Sequence, residues 1–186
     1  MDFQRLILFC HVAAMGGLFA AIAIEWASLR FVRRATSSEQ AREWTRLWSL
    51  LQPIGIPSVV VILASGIYLA TTLGVWELGW VEVAVPTLIM VAVAGGVVGP
   101  RRNRLQMAIA KSAGPLPVDL QTQLRQPLLV ASWRFRAALL IGLVFEMVAR
   151  PESSGVLVMA AFALIGICWG LLAWRPSPRV TSGVAA

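Results

Sequence analysis

The sequence predicts an all-α membrane protein with five transmembrane helices. The chain has 186 residues, of which 58% are hydrophobic and only 13% are charged, and this composition lies outside the range of soluble domains. The apolar residues form long blocks instead of an amphipathic repeat, and about 20 apolar residues suffice to cross a bilayer. We expect one bundle domain over residues 1–175 and a disordered cytoplasmic tail over residues 176–186, which lack a core-forming pattern.

The first apolar block runs from Phe3 to Leu29 and contains no proline. Its position near the N-terminus raises the possibility of a secretory signal peptide. The apolar region is too long for one, however. We therefore expect this block to remain in the mature protein as the first transmembrane helix.

Proline and glycine interrupt the second and third blocks. The second runs from Leu47 to Leu73, and the two prolines in its first turns, Pro53 and Pro57, predict a kinked entry. The third, Val83 to Gly99, is short and ends in a glycine cluster followed by Pro100. This pattern predicts that the third helix stops abruptly at a basic membrane face.

A polar connection from Asn103 to Gln126 separates the third block from the last two. It is broken near Gly114, and we expect its two short amphipathic pieces to lie on the membrane surface. The fourth block, Pro127 to Ala149, carries two arginines early and a glutamate late. The fifth, Gly155 to Trp174, is uninterrupted by charge. Both are long enough to span a membrane.

The loop charges predict an orientation. Counting lysine and arginine, the first loop has five, the second none, the third seven when counted from Arg101 to Arg136, the fourth one and the tail two. The positive-inside rule then places the first and third loops and the C-terminus in the cytoplasm, and the N-terminus outside. The net charge of +7 is thereby explained by membrane topology and by contact with membrane lipids, and we expect no nucleic-acid partner.

Several ionisable residues fall inside these apolar blocks. Placing a charge there costs about 2.5–3.5 kcal/mol, so such a residue usually pairs with a partner. In the predicted orientation His11 and Glu146 share the outer half of the membrane, so we expect them to form one site. Glu25 lies near the cytoplasmic end of the first helix, level with Arg134 and Arg136, and we expect a structural ion pair with one of them. The alternative for His11 is a hydrogen-bonded packing residue.

Soft metal ligands also lie in the predicted outer half. The candidate ligands are Cys10, His11, Met15, Glu146 and Met147. Thiolate, thioether and imidazole together suit Cu(I), although methionine is also an ordinary filler of apolar gaps. Haem is a further alternative, but His11 is the only histidine, so a second axial ligand would have to come from methionine or a symmetric dimer. No phosphate-binding loop, zinc motif or nucleophile triad supports an enzyme.

Two segments, LILFCHVAAMGGLFAA in the first block and RFRAALLIGLVFEMVARP in the fourth, resemble the CopD-like copper-resistance superfamily. They also resemble a neighbouring, predicted integral-membrane family of unknown function. Both families are small bacterial multi-span proteins with a histidine early in the first helix and a late helix that begins with arginine. The matching residues are His11, Gly16, Gly17, Arg134 or Arg136, Met147, Arg150 and Pro151. The further histidines of the copper-transporting members are absent from this sequence.

The resemblance implies a bacterial inner-membrane protein, with copper as a possible cofactor or cargo. Together with the residue pattern it gives a leading interpretation, in which the outer-half site of His11 and Glu146 binds or passes a small cation, either copper or a proton. One alternative is a non-catalytic structural or accessory subunit that packs against other membrane-protein subunits or a second copy of itself. The other alternative is a haem-binding membrane redox protein.

Overall fold

The computed structural model describes residues 2–150 and 155–174, and these form a helical bundle without a strand. Five helical segments are long and apolar enough to cross a membrane, which confirms the all-α class and the number of candidate spans. The predicted tail, residues 176–186, lies outside the described residues. The helices are α1 (Phe3–Val32), α2 (Ser38–Arg46), α3 (Leu51–Leu73), α4 (Gly79–Lys111), α5 (Val118–Arg125), α6 (Pro127–Ala149) and α7 (Gly155–Leu171), with 3₁₀ turns at Leu47–Leu50 and Leu172–Trp174.

The spanning helices associate as two pairs. Helix α1 packs along α3, and α6 packs along α7. Helix α4 packs on the α6 and α7 pair, and contacts of α1 with α6 and of α3 with α4 join the two pairs. Small residues permit the close approach of α6 and α7. A Cβ atom placed on Gly142 would lie 2.6 Å from Cγ of Phe162, and one on Gly166 would lie 3.0 Å from Cβ of Ala138. Because lipid tails are as apolar as leucine, such close packing supplies much of the attraction between membrane helices.

The third span differs from its prediction. Helix α4 does not stop at Gly99 but continues through Pro100 to Lys111, for 33 residues. The physical reason is packing: Leu105 and Ile109 are buried in the same cluster as Val32 of α1. Burial of this stripe outweighs the local helix-breaking tendency of glycine and proline. A 3₁₀ turn, Leu47–Leu50, precedes the second span, and α3 then continues through Pro53 and Pro57. The kink expected at these prolines stays a prediction.

The short helix α2 packs against the arginine-rich end of the bundle. Trp44 stacks on Phe31 of α1 with ring centroids 4.2 Å apart, and Ser28 donates a hydrogen bond of 2.8 Å to the Trp44 carbonyl. The backbone N–H of Ser38 also donates to the Gly114 carbonyl at 2.9 Å. The first and third loops are therefore tied together. Beside them, the backbone N–H groups of Glu39 itself and of Gly114 hold the pKa of the Glu39 carboxyl below its usual range.

Candidate functional site

Glu146 lies on the core-facing side of α6 and is 0% exposed. Leu143 and Leu139, three and seven residues earlier on the same face, are buried in the central apolar cluster. Neither carboxylate oxygen of Glu146 has a hydrogen-bond partner among the described residues. The bundle therefore buries a carboxyl group on an apolar helix face, and within residues 2–150 and 155–174 no hydrogen-bond donor compensates a negative charge on it.

An isolated carboxylate in such surroundings is costly, because neither a hydrogen bond nor an opposite charge replaces the lost water. The neutral acid avoids most of this cost.

His11 lies on α1 and is half-buried against α3. Its Nδ1 atom is 2.9 Å from Oγ of Ser65. The Ser65 hydroxyl donates its proton to the backbone carbonyls of Val61 and Ile62, so Ser65 Oγ accepts from Nδ1–H of the imidazole. In the neutral ring this arrangement leaves the lone pair of Nε2 available for a proton or a ligand.

A cavity of about 310 Å³ lies beside His11, between α1, α3, α4 and α6. Its other polar or polarisable walls are Met147, Arg150 and the tryptophans Trp76 and Trp80, and the remaining walls are aliphatic. The guanidinium of Arg150 lies 5.7 Å from the centre of the Trp80 ring. The volume and the apolar lining are typical of a site for a small molecule with one polar end.

The structure brings only some of the predicted ligands together. His11 and Met147 line the same cavity, whereas Cys10, one residue from His11, is rotated by about 100° around α1. Met15 packs against the central apolar cluster. Within residues 2–150 and 155–174, no three histidine, cysteine, aspartate or glutamate side chains form a group that could hold a metal ion. His11 and Met147 are thus the predicted ligands that the structure places in one cavity.

No direct hydrogen bond joins His11 to Glu146. His11 bonds to Ser65, and Glu146 has no hydrogen-bond partner in the described part of the chain. Met147, which follows Glu146, lines the cavity that His11 borders, but Glu146 is rotated by about 100° around α6 and does not line it. The prediction that they work as one site stays a prediction.

A second polar centre surrounds Glu25, which is buried on α1. Both of its carboxylate oxygens lie 2.8 Å from Nη2 of Arg136, so the pair expected from the sequence is present. Arg102 also contributes, with Nη1 3.2 Å from Oε1 of Glu25. The other candidate, Arg134, donates instead to the Trp169 carbonyl at 2.8 Å. One carboxylate and two guanidinium groups give this buried cluster a net charge of +1.

Sequence reasoning missed Arg102 because it ended the third helix at Gly99. A signal was nevertheless present: Val98, Arg102, Leu105 and Ile109 are spaced by four, three and four residues, the spacing of one helical face. All four are buried. An unbroken helix through this region would have placed Arg102 on the core-facing side.

Comparison of the chain with protein-family models, with curated proteins and with solved structures finds no match in any of the three. The resemblance to the CopD-like superfamily therefore stays a prediction carried by the two quoted segments, and function has to be argued from the geometry.

Proposed function

We propose that the chain is an integral protein of a bacterial inner membrane that takes up and releases protons at Glu146 and His11. The observation that carries this proposal is the complete burial of Glu146 without a hydrogen-bond partner in the described residues. Ionisable residues of this kind are rare inside membranes because of their cost, and they typically mark proton or ion pathways. Of the ligands considered for copper, His11 and Met147 line one cavity whereas Cys10, Met15 and Glu146 do not, which favours the proton as the cation handled.

His11 supplies the second protonatable group and the access route. Its Nε2 lone pair is available, and its ring borders the cavity. A molecule or water that enters the cavity reaches the imidazole first. Met147, the residue after Glu146 on α6, lines this cavity. We propose that occupancy of the cavity and the proton on Glu146 are linked.

The same proposal includes an orientation, with the N-terminus and the connection after α3 outside and the arginine-rich end in the cytoplasm. The loop charges support it, and Trp76 and Trp80 in the connection between α3 and α4 are the residue type enriched at membrane interfaces. In this orientation the His11 cavity lies in the outer half of the membrane.

The orientation predicts which single cysteines react from outside. Cys10 and Cys168 are first replaced by alanine, and then either Glu77 or Lys111, both exposed, is replaced by cysteine. In intact cells an impermeant thiol reagent is expected to label Glu77→Cys only, and Lys111→Cys is expected to react after the membrane is opened. Labelling of Lys111→Cys in intact cells would reverse the orientation and move the His11 cavity to the cytoplasmic half.

Proton handling predicts a specific loss in Glu146→Gln, which keeps the shape of the side chain and removes its titratable proton. In vesicles with an imposed potential, proton uptake through the wild-type protein is measured with an enclosed pH dye. Glu146→Gln is expected to reduce this uptake to that of protein-free vesicles. Infrared spectra at neutral pH are expected to show a protonated carboxyl band that this variant lacks.

The matched control is Glu82→Gln, because Glu82 is an exposed carboxylate in the first turn of α4. It removes the same charge without touching the bundle interior, and we expect both the proton uptake and the infrared band to be unchanged. Equal uptake by wild type and Glu146→Gln would contradict the proposal and leave Glu146 a structural residue.

A further inference from the structure

A cavity of about 720 Å³ lies at the arginine-rich end of the bundle, where α1 ends, α6 begins and α7 ends. This volume is within the range of small-molecule sites, about 300–1,000 Å³. Five arginines line it, and no aspartate or glutamate does so within the part of the chain that the structure describes. The arginines are Arg30, Arg33, Arg34, Arg125 and Arg134.

Among the described residues no ion pair neutralises these arginines, and the hydrogen bonds that two of them donate go to backbone carbonyls. Arg33 donates to the carbonyl of Arg125 at 2.9 Å, and Arg134 donates to that of Trp169 at 2.8 Å. Such bonds position a guanidinium without cancelling its charge. Burial and the charges of Arg134 and Arg125 lower the pKa of Arg33. Like charges are thus crowded at this cavity, and a bound anion would relieve their repulsion.

Four of the eight tryptophans of the chain form the apolar part of the same wall, Trp26, Trp133, Trp169 and Trp174. The guanidinium groups of Arg30 and Arg134 lie 5.6 Å from the ring centres of Trp26 and Trp169. Tryptophan is enriched at the level of lipid headgroups. The cavity therefore combines a strongly cationic surface with an aromatic one, which suits a ligand that has an anionic head and an apolar body.

We propose that this cavity binds a phosphate ester, with the phosphoryl oxygens on the arginines and the apolar part against the tryptophans. The planar guanidinium group matches phosphate geometry with two parallel N–H donors, and it is more weakly hydrated than an ammonium. Basic cavities between spanning helices are a known form of phospholipid headgroup site. The site is separate from the His11 cavity and does not depend on proton transfer at Glu146.

The test compares two variants that each remove two exposed arginines. Arg30→Gln/Arg34→Gln removes charge from the cavity, and Arg46→Gln/Arg104→Gln removes the same charge from exposed positions outside it. Native mass spectrometry measures retention of phosphatidylglycerol against zwitterionic phosphatidylcholine at equal concentration. Thermal unfolding confirms that each variant is folded.

The wild type is expected to retain phosphatidylglycerol preferentially, and the cavity variant is expected to lose about 30-fold of this preference, since each arginine near a headgroup contributes about fivefold. The variant outside the cavity is expected to keep it.

A second arm adds inorganic phosphate to lipid-depleted protein. Retention of phosphate that only the cavity variant loses, without a lipid preference, also supports the site and identifies a soluble ligand. Equal losses in both variants, or no retention of either ligand by the wild type, overturn the proposal.

Discussion

Glu25→Gln is expected to lower the free energy of unfolding by about 3–5 kcal/mol, because it leaves two buried guanidinium charges without a counter-charge. Arg102 and Arg136 are 7% and 6% exposed, so neither reaches water easily from its present position. A salt bridge at a solvated surface would cost only about 0–1 kcal/mol when broken. Equilibrium unfolding in detergent, followed by tryptophan fluorescence, measures the difference.

Because the cluster has a net charge of +1, replacing its three members is expected to lower the free energy of unfolding by different amounts. Arg102→Gln leaves Glu25 with Arg136, a neutral pair that has the shorter contact, 2.8 Å against 3.2 Å. It is therefore expected to cost less than Glu25→Gln or Arg136→Gln. In a double-mutant cycle, Glu25 is expected to couple more strongly to Arg136 than to Arg102. Arg104→Gln, an exposed arginine on the same helix, is the control. A loss from Glu25→Gln no larger than that from Arg104→Gln would show that the cluster is solvated.

The number of spans could be predicted because bilayer thickness sets the length of an apolar block. The fifth block, Gly155 to Trp174, agrees with α7 and the 3₁₀ turn that follows it. The end of α4 could not be predicted from local signals. Glycine and proline indicate a stop, but the burial of Leu105 and Ile109 depends on the position of α1 and α2, which the sequence of α4 does not contain.

The orientation of each helix was harder to predict, because in a membrane the lipid-facing residues are as apolar as the buried ones. On α6, Glu146 is completely buried while Val148, two residues later, is 78% exposed, yet both lie in one apolar run. The depth of His11 and Glu146 could therefore be inferred and their faces could not. Ser65, the hydrogen-bond partner of His11, looks in the sequence like any small residue of a spanning helix.

The arginine and tryptophan cavity could not be predicted for a different reason. Its walls come from the ends of α1, α5 and α7 and the beginning of α6, which are far apart in the chain. Each segment alone is a basic or aromatic helix end of the type common at membrane interfaces. Only the packing of α6 against α1 and α7 shows that they surround one space.

Gly142→Ala is expected to destabilise the bundle by about 1–3 kcal/mol through overpacking between α6 and α7. The added Cβ would lie 2.6 Å from Cγ and 2.8 Å from Cβ of Phe162. These atoms are at the root of the side chain, so Phe162 cannot move away without displacing α7. Gly16→Ala is the control, since its Cβ meets nothing within 4 Å, and alanine in a helix gains about 0.5–1 kcal/mol over glycine. The same detergent unfolding compares the two variants.

The Gly142 substitution also bears on Glu146, which follows it by four residues and so lies on the same face of α6, one turn further on. Displacing α7 would open the apolar surroundings of Glu146 to lipid or water. We therefore expect Gly142→Ala to shift or weaken the infrared band of the protonated carboxyl, and the double variant Gly142→Ala/Phe162→Gly, which removes both clashing atoms of Phe162, to restore it in part. If Gly142→Ala were as stable as Gly16→Ala and left the band unchanged, α6 and α7 would not form the close contact that encloses Glu146.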